Sequence, residues 1–282
     1  MPDRRAALDP AWRLVRAGAP ALAPGPAHAR LTFLGHSTVL IEVDDLRILT
    51  DPVLRDGIGP VRRQVKAVLP DLFADLDAVF ISHGHNDHLD LPSLRQIPGK
   101  PTLIVPRGFG KLAAKAGLGP VEEVAPKDRL SIDRVHFAVV EAVHSGRREP
   151  FGPEGPAIGC VIEGSRTVYF AGDTDLFPGM GMLAGLLDVA LLPVWGWGPT
   201  IGPGHMNPER AAQATALLRP RLAIPIHWGT LYPAGLRGVA PAPFETPGPS
   251  FVEAAARLAP DVEVRLLTPG EAIELPRARP SA

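Results

Sequence analysis

Four apolar runs of strand length in this chain each lead into a His or an Asp near their carboxyl end. Ala78–Ile81 leads into Ser82-His-Gly-His-Asn-Asp-His-Leu-Asp90, and Val139–Val143 into His144. Val168–Ala171 leads into Gly172-Asp173-Thr174, and Leu222–Ile226 into His227. Parallel or mixed sheets gather such ends along one edge, where a rigid scaffold presents the residues that follow each strand. The pattern therefore predicts sheets whose strand ends share one chemical site.

The segment from His83 to His88 concentrates three imidazoles and a carboxylate. His83 and His85 are two residues apart, so on extended backbone they point the same way. Asp87 and His88 follow on a turning backbone and face a second point. One segment can thus serve two metal ions roughly 3.5–4 Å apart. A metal needs three or four ligands, so the segment cannot complete two sites alone. His144, Asp173 and His227 are the residues available to complete them. Packing three imidazoles and an aspartate together without a cation would be costly.

Further runs read as strands: Leu31–Leu34, Val39–Val43, Arg47–Thr50, Thr102–Val105, Arg134–Val143, Ala157–Glu163, Thr167–Ala171, Val189–Pro193, Val262–Leu267 and Ala272–Leu275. Helical patterns fall between them at Phe109–Ala116 and Pro208–Leu218, the latter with Asn207 as N-cap and Pro208 at the first helical position. Ser250 and Glu253 have the spacing of a capping box opening a helix over Phe251–Leu258. Strands outnumber helices, which suggests two sheets packed face to face with helices outside. Residues 1–29 are rich in Ala and Pro and read as an arm. Residues 30–282 read as one domain.

The charge balance excludes some functions. Lys plus Arg is 29 and Asp plus Glu is 30, a formal net charge of −1. That leaves no footprint for nucleic acid or an anionic membrane. No run approaches the length of a transmembrane helix. The single cysteine, Cys160, lies in an apolar run and reads as core. The absence of a disulfide and of a signal-peptide pattern points to the cytoplasm.

Other residues sit close to the pattern. His205 lies on a Gly/Pro-rich loop just before a helix N-terminus, where it could polarise substrate or protonate a leaving group. The alternative is an ordinary loop histidine. His36 follows a strand and a glycine, and reads as a turn residue somewhat more readily than a site residue. Asp51, between Thr50 and Pro52, either orients a ligand histidine from behind or forms an Asx turn. Asp90 could do the same or cap a helix before Pro92. Arg147 and Arg148 could bind a substrate phosphate or carboxylate, or be solvated loop charges. Trp195 and Trp197 could cover an apolar substrate or pack against the arm.

In order and approximate spacing, His83, His85, Asp87, His88, His144, Asp173 and His227 resemble the metallo-β-lactamase fold superfamily. Leu34-Gly-His-Ser-Thr-Val-Leu-Ile41, Thr50-Asp-Pro52, Gly204-His-Met-Asn-Pro-Glu209 and Ile226-His-Trp-Gly-Thr230 are most similar to the branch holding N-acyl-phosphatidylethanolamine-hydrolysing phospholipase D. The L-ascorbate 6-phosphate lactonases are more distant. The resemblance implies an α/β four-layer αββα sandwich with a dinuclear site at one edge of two mixed sheets. His83, His85 and His144 would hold one divalent ion, Asp87, His88 and His227 the other, and Asp173 would bridge them. Zinc is the first expectation, and manganese or iron also suit His and Asp ligands without Cys. A water shared by two cations becomes a hydroxide near neutral pH and attacks a carbonyl or a phosphorus. Asp87 and His205 are the expected catalytic side chains. The expected function is hydrolysis of a small or lipid-derived phosphodiester, ester or lactone. A metal-dependent nuclease and a non-catalytic metal-binding regulator are the alternatives.

Overall fold

The computed structural model describes residues 29–148 and 151–275. Nearly all of the expected arm, residues 1–28, lies outside the described residues.

In chain order the first group of strands is β1 (Ala29–Gly35), β2 (Thr38–Val43), β3 (Leu46–Thr50), β4 (Gly57–Ile58), β5 (Val61–Arg63), β6 (Ala78–Phe80), β7 (Thr102–Pro106) and β8 (Val121–Val124). The second is β9 (Arg129–Ile132), β10 (Val135–Glu141), β11 (Ile158–Glu163), β12 (Thr167–Phe170), β13 (Val189–Pro193), β14 (Leu222–Ile226), β15 (Leu231–Pro233), β16 (Glu263–Val264) and β17 (Ala272–Glu274). One seven-stranded sheet runs β17-β1-β2-β3-β6-β7-β8, and a second runs β16-β14-β13-β12-β11-β10-β9. Each sheet is antiparallel in one half and parallel in the other: β3, β6, β7 and β8 in the first, β12, β13, β14 and β16 in the second.

Alternation along the strands explains why the runs are apolar throughout. Val39, Ile41, Ala78, Phe80, Val189 and Leu191 face the space between the sheets. Their neighbours turn the other way: Leu40 and Val79 toward helices on one outer face, Ala190 and Leu192 toward helices on the other. A strand covered on both faces needs apolar residues at every position. Phe80 and Phe170 meet edge to face across the two sheets, with ring centres 6.1 Å apart. Cys160 is fully buried in this middle layer. The architecture is the four-layer αββα sandwich.

The helices are α1 (Leu91–Leu94), α2 (Gly110–Ala113), α3 (Pro208–Leu218), α4 (Ala242–Glu245) and α5 (Pro247–Leu258). Helix α3 starts as expected, with Asn207 accepting from the Arg210 N–H at 2.9 Å. Helix α5 corrects the capping-box reading. It begins at Pro247, and the Ser250 N–H already donates to the Thr246 carbonyl. Proline suits a first helical turn, since its missing N–H would have no partner there. Gly248 is required because the Trp228 ring occupies the space of a Cβ.

Other boundaries also move. The expected strand over 134–143 ends at Glu141, and the expected 262–267 strand shrinks to β16. The Phe109–Ala116 helix splits into α2 and a 3-10 turn over Ala114–Ala116. Strands β8, β9 and the small sheet β15-β5-β4 carry no apolar run and were not expected.

Candidate metal centre

The topology sends six strand ends to one edge. β1 opposes β2 and β2 opposes β3, so β1, β3 and β6 all run the same way. β10, β12, β13 and β14 likewise share a direction. The residues after these strands therefore meet: His36 after β1, Asp51 after β3, His83–His88 after β6, His144 after β10, Asp173 after β12 and His227 after β14. Three of them sit at positive φ without being glycine: His36 at 56°, Asp51 at 35° and His227 at 62°. Such strain costs about 1–3 kcal/mol per residue and collects where side chains must be aimed.

Two donor groups result. Ligand atoms of His83, His85 and His144 lie within 4.8 Å of one another, and so do those of His36, Asp87, His88 and His227. In the first, His85 Nδ1 is 2.9 Å from His83 Nε2 and 3.1 Å from His144 Nε2. In the second, His88 Nε2 is 3.2 Å from His227 Nε2. Asp173 lies between, its Oδ2 3.1 Å from His88 Nε2, 3.2 Å from His227 Nε2 and 3.9 Å from His83 Nε2.

The far side of each ring decides which nitrogen faces the centre. His144 Nδ1 donates to the Gly204 carbonyl at 3.0 Å, and His227 Nδ1 to the Trp195 carbonyl at 3.1 Å. His88 Nδ1 donates to Asp51 Oδ2 at 2.6 Å. The Ser82 hydroxyl donates to Asp51 Oδ2 and accepts from His83 Nδ1 at 3.0 Å. Four imidazoles are thus turned with Nε2 toward one pocket, as metal-holding histidines are by their outer partners. Asp173 Oδ1 is buried with no hydrogen-bond partner. Converging nitrogens and an orphaned carboxylate oxygen are a poor arrangement by themselves and a fitting one around cations.

Electrostatics agree with that fit. Burial raises the carboxyls of Asp87 and Asp173, but the surrounding histidines outweigh it and hold both well below the ordinary range. Burial disfavours charge on His88, yet Asp173, Asp87 and Asp51 outweigh it and hold its pKa well above the ordinary value. The field there calls for positive charge. Burial dominates elsewhere: His144 falls to about 4 and His36 to about 3.

The remaining candidates divide. Asp51 also accepts from the Ser82 N–H at 2.7 Å, so it ties the motif to β3. His36 is fully buried, with Nε2 2.9 Å from Asp87 Oδ2. It does keep the turn, since its carbonyl accepts from the His227 N–H, but its ring belongs to the site. His205 stands at the centre, its Nε2 3.2 Å from Asp173 Oδ2. Asp90 caps α1 and holds Arg55 with two 2.8 Å bonds. Arg148 Nη1 donates to the Gly84 and Leu89 carbonyls and braces the motif loop. Arg147 is exposed. Trp195 contributes its carbonyl to His227, while its indole N–H bonds Gly198. Trp197 is 40% exposed on the rim. Sequence reasoning missed Ser82, although it directly precedes the motif, and the carbonyls of Gly204 and Trp195, which leave no trace in side-chain chemistry.

The model of the beta-lactamase superfamily domain matches residues 46–228. The chain is 33% identical over 252 residues to a metal-dependent hydrolase of Methanopyrus kandleri, covering 87% of this chain and 99% of that one. It is 31% identical over 230 residues to the N-acyl-phosphatidylethanolamine-hydrolyzing phospholipase D 1 of Caenorhabditis elegans, covering 72% of this chain and 64% of that longer protein. Among solved structures, Igni18, a metallo hydrolase of Ignicoccus hospitalis, superposes with a TM-score of 0.66 at 25% identity over 89% of this chain and 100% of that one. With this match and this geometry, the chain belongs to the β-lactamase superfamily and is a metal-dependent hydrolase of the metallo-β-lactamase fold.

Proposed function

We propose that the protein hydrolyses a phosphodiester or a carboxylic ester or lactone at a dinuclear centre. His83, His85 and His144 would hold one divalent cation, Asp87, His88 and His227 the other, and Asp173 would bridge them. The observation that carries this reading is the position of Asp173 between the two donor groups, with one oxygen near His88, His227 and His83 and the other without a partner. The donor set has no thiolate and suits zinc first, then manganese or iron. Bound there, the cations supply Lewis acidity and a water made acidic enough to attack near neutral pH.

The chain's own residues do the rest. Asp51 and Ser82 hold His88 and His83 in one tautomer. His36 holds Asp87 in place as a ligand and catalytic carboxylate. His205 Nδ1 faces the Gly202 and Pro203 carbonyls at 3.2 and 3.1 Å, so it carries a proton. Burial lowers the pKa of His205, but the hydrogen bond to Asp173 outweighs it and raises the value overall. The ring is 18% exposed and can pass a proton from Nε2 to a leaving group. Similarity to the nematode phospholipase D keeps a lipid-derived phosphodiester in the range of substrates.

Metal analysis of the purified protein, followed by a panel of phosphodiesters, esters and lactones, tests the reading. The expected result is two equivalents of metal and hydrolysis that chelation abolishes. One equivalent or fewer, or full loading without hydrolysis, overturns it. His205→Ala is expected to keep both metals and slow turnover about 100-fold, and normal kinetics would remove it from proton transfer.

A further inference from the structure

Two cavities flank the histidine and aspartate cluster and share Trp197 in their walls. The larger, about 550 Å³, extends from His85 and Asp87 to the β4–β5 hairpin, with Ile58, Val61 and Leu231 among its walls. The smaller, about 310 Å³, lies on the His205 and His227 side along the glycine-rich segment 196–202. A molecule whose reacting group sits at the cluster would place one arm in each.

The cations nearby are committed elsewhere. Arg55 is the one Lys or Arg among the described residues lining the larger cavity, and it spends Nε and Nη2 on the Asp90 carboxylate. Arg63, on the same hairpin, donates to the Leu34 and Val53 carbonyls. No Lys or Arg among the described residues lines the smaller cavity. An anionic arm would lose water in either cavity and gain no counter-charge. An apolar arm in the larger cavity would gain about fourfold in affinity per buried methylene.

We propose that the substrate is an uncharged carboxylic ester whose apolar acyl arm fills the larger cavity and whose alcohol arm faces His205, with Trp197 sorting the two. This rests on the hydrolytic reading above. The water oxygen bonds to the carbonyl carbon and the bond from that carbon to the alcohol oxygen breaks. The alcohol leaves with one proton, and the acid leaves as carboxylate with the other proton released to solvent.

The test uses the metal-loaded full chain and p-nitrophenyl esters from acetate to decanoate. The expected kcat/KM rises about fourfold per methylene until the cavity is filled. An octanoate analogue ending in a second carboxylate is expected to fall at least tenfold below octanoate. Trp197→Ala and Ile58→Ser, both at partly exposed positions, are expected to cut the decanoate-to-acetate ratio at least tenfold. A ratio that neither variant moves, or a charged arm accepted equally, overturns the proposal. Alkyl methyl ketones of matching length, titrated against tryptophan emission, read the cavity without turnover. Affinity that climbs with length while no ester is cleaved supports the cavity and overturns the ester assignment, and hydrolysis of a phosphodiester or lactone in the panel above would then keep the hydrolytic reading. Affinity independent of length overturns the cavity assignment.

Discussion

The two halves of the proposed metal centre differ in charge and in cover. His83, His85 and His144 offer imidazoles alone, and two of the three are partly exposed. His88 and His227 share their half with Asp87, whose side chain is 13% exposed, and with buried His36 behind it. Asp173 leans the same way, 3.1 and 3.2 Å from His88 and His227 against 3.9 Å from His83. Negative ligand charge in a place shielded from water strengthens the hold on a cation. The half built on Asp87 is therefore expected to bind its ion more tightly.

Removing the shared carboxylate should have the largest effect. Asp173→Ala is expected to lose at least one metal equivalent and to lower turnover roughly 100- to 1,000-fold or more. Unchanged metal content and rate would take Asp173 out of the bridge and dissolve the two-half picture. The inequality itself is open to graded chelation. The first equivalent removed should come from the all-imidazole half, and Asp87→Asn should weaken the other half about 10- to 100-fold and reverse the order. An order insensitive to Asp87 would place the stronger hold elsewhere.

Acid acts on both halves in the metal-free protein. His36 and His144 ionise at about 3 and about 4 when folded, against 6.5 in the open chain, and burial also lowers His83 and His85. Between about pH 4 and 6.5 the unfolded chain binds more protons, so stability rises with pH there. His88 and His205 are raised, so they bind protons more readily when folded, and above 6.5 their contribution declines. Urea midpoints of chelated protein should peak near pH 6.5, and a monotonic profile would contradict these shifts. The smallest effect is expected at the brace. Arg148→Ala should cost about 1–3 kcal/mol through the Gly84 and Leu89 carbonyls and leave KM unchanged. A large rise in KM would return Arg148 to substrate binding.

Much of this was legible because the middle layers are apolar on both faces. β13 and β14 stand out as unbroken runs, and each run that ends in His or Asp points at the edge. The gathering of histidines and aspartates at that edge was readable for the same reason. What stayed hidden was decided by contacts distant in sequence. β8 and β9 are half polar and hold their places by pairing at sheet edges. The β4–β5 hairpin is too short to show a period, yet with β15 it walls the larger cavity. His36 looked like a turn because its role depends on Asp87, 51 positions away.

Asp51 has a consequence for how the centre fills. One of its oxygens grips His88 directly and reaches His83 through the Ser82 hydroxyl, so each of the two proposed cation positions would be anchored to the same carboxylate. An ion arriving in one half stiffens that anchor for the other, and the loading isotherm should be steeper than two independent sites would give. Cooperativity of this kind requires no contact between the ions, and Asp51→Asn should flatten it.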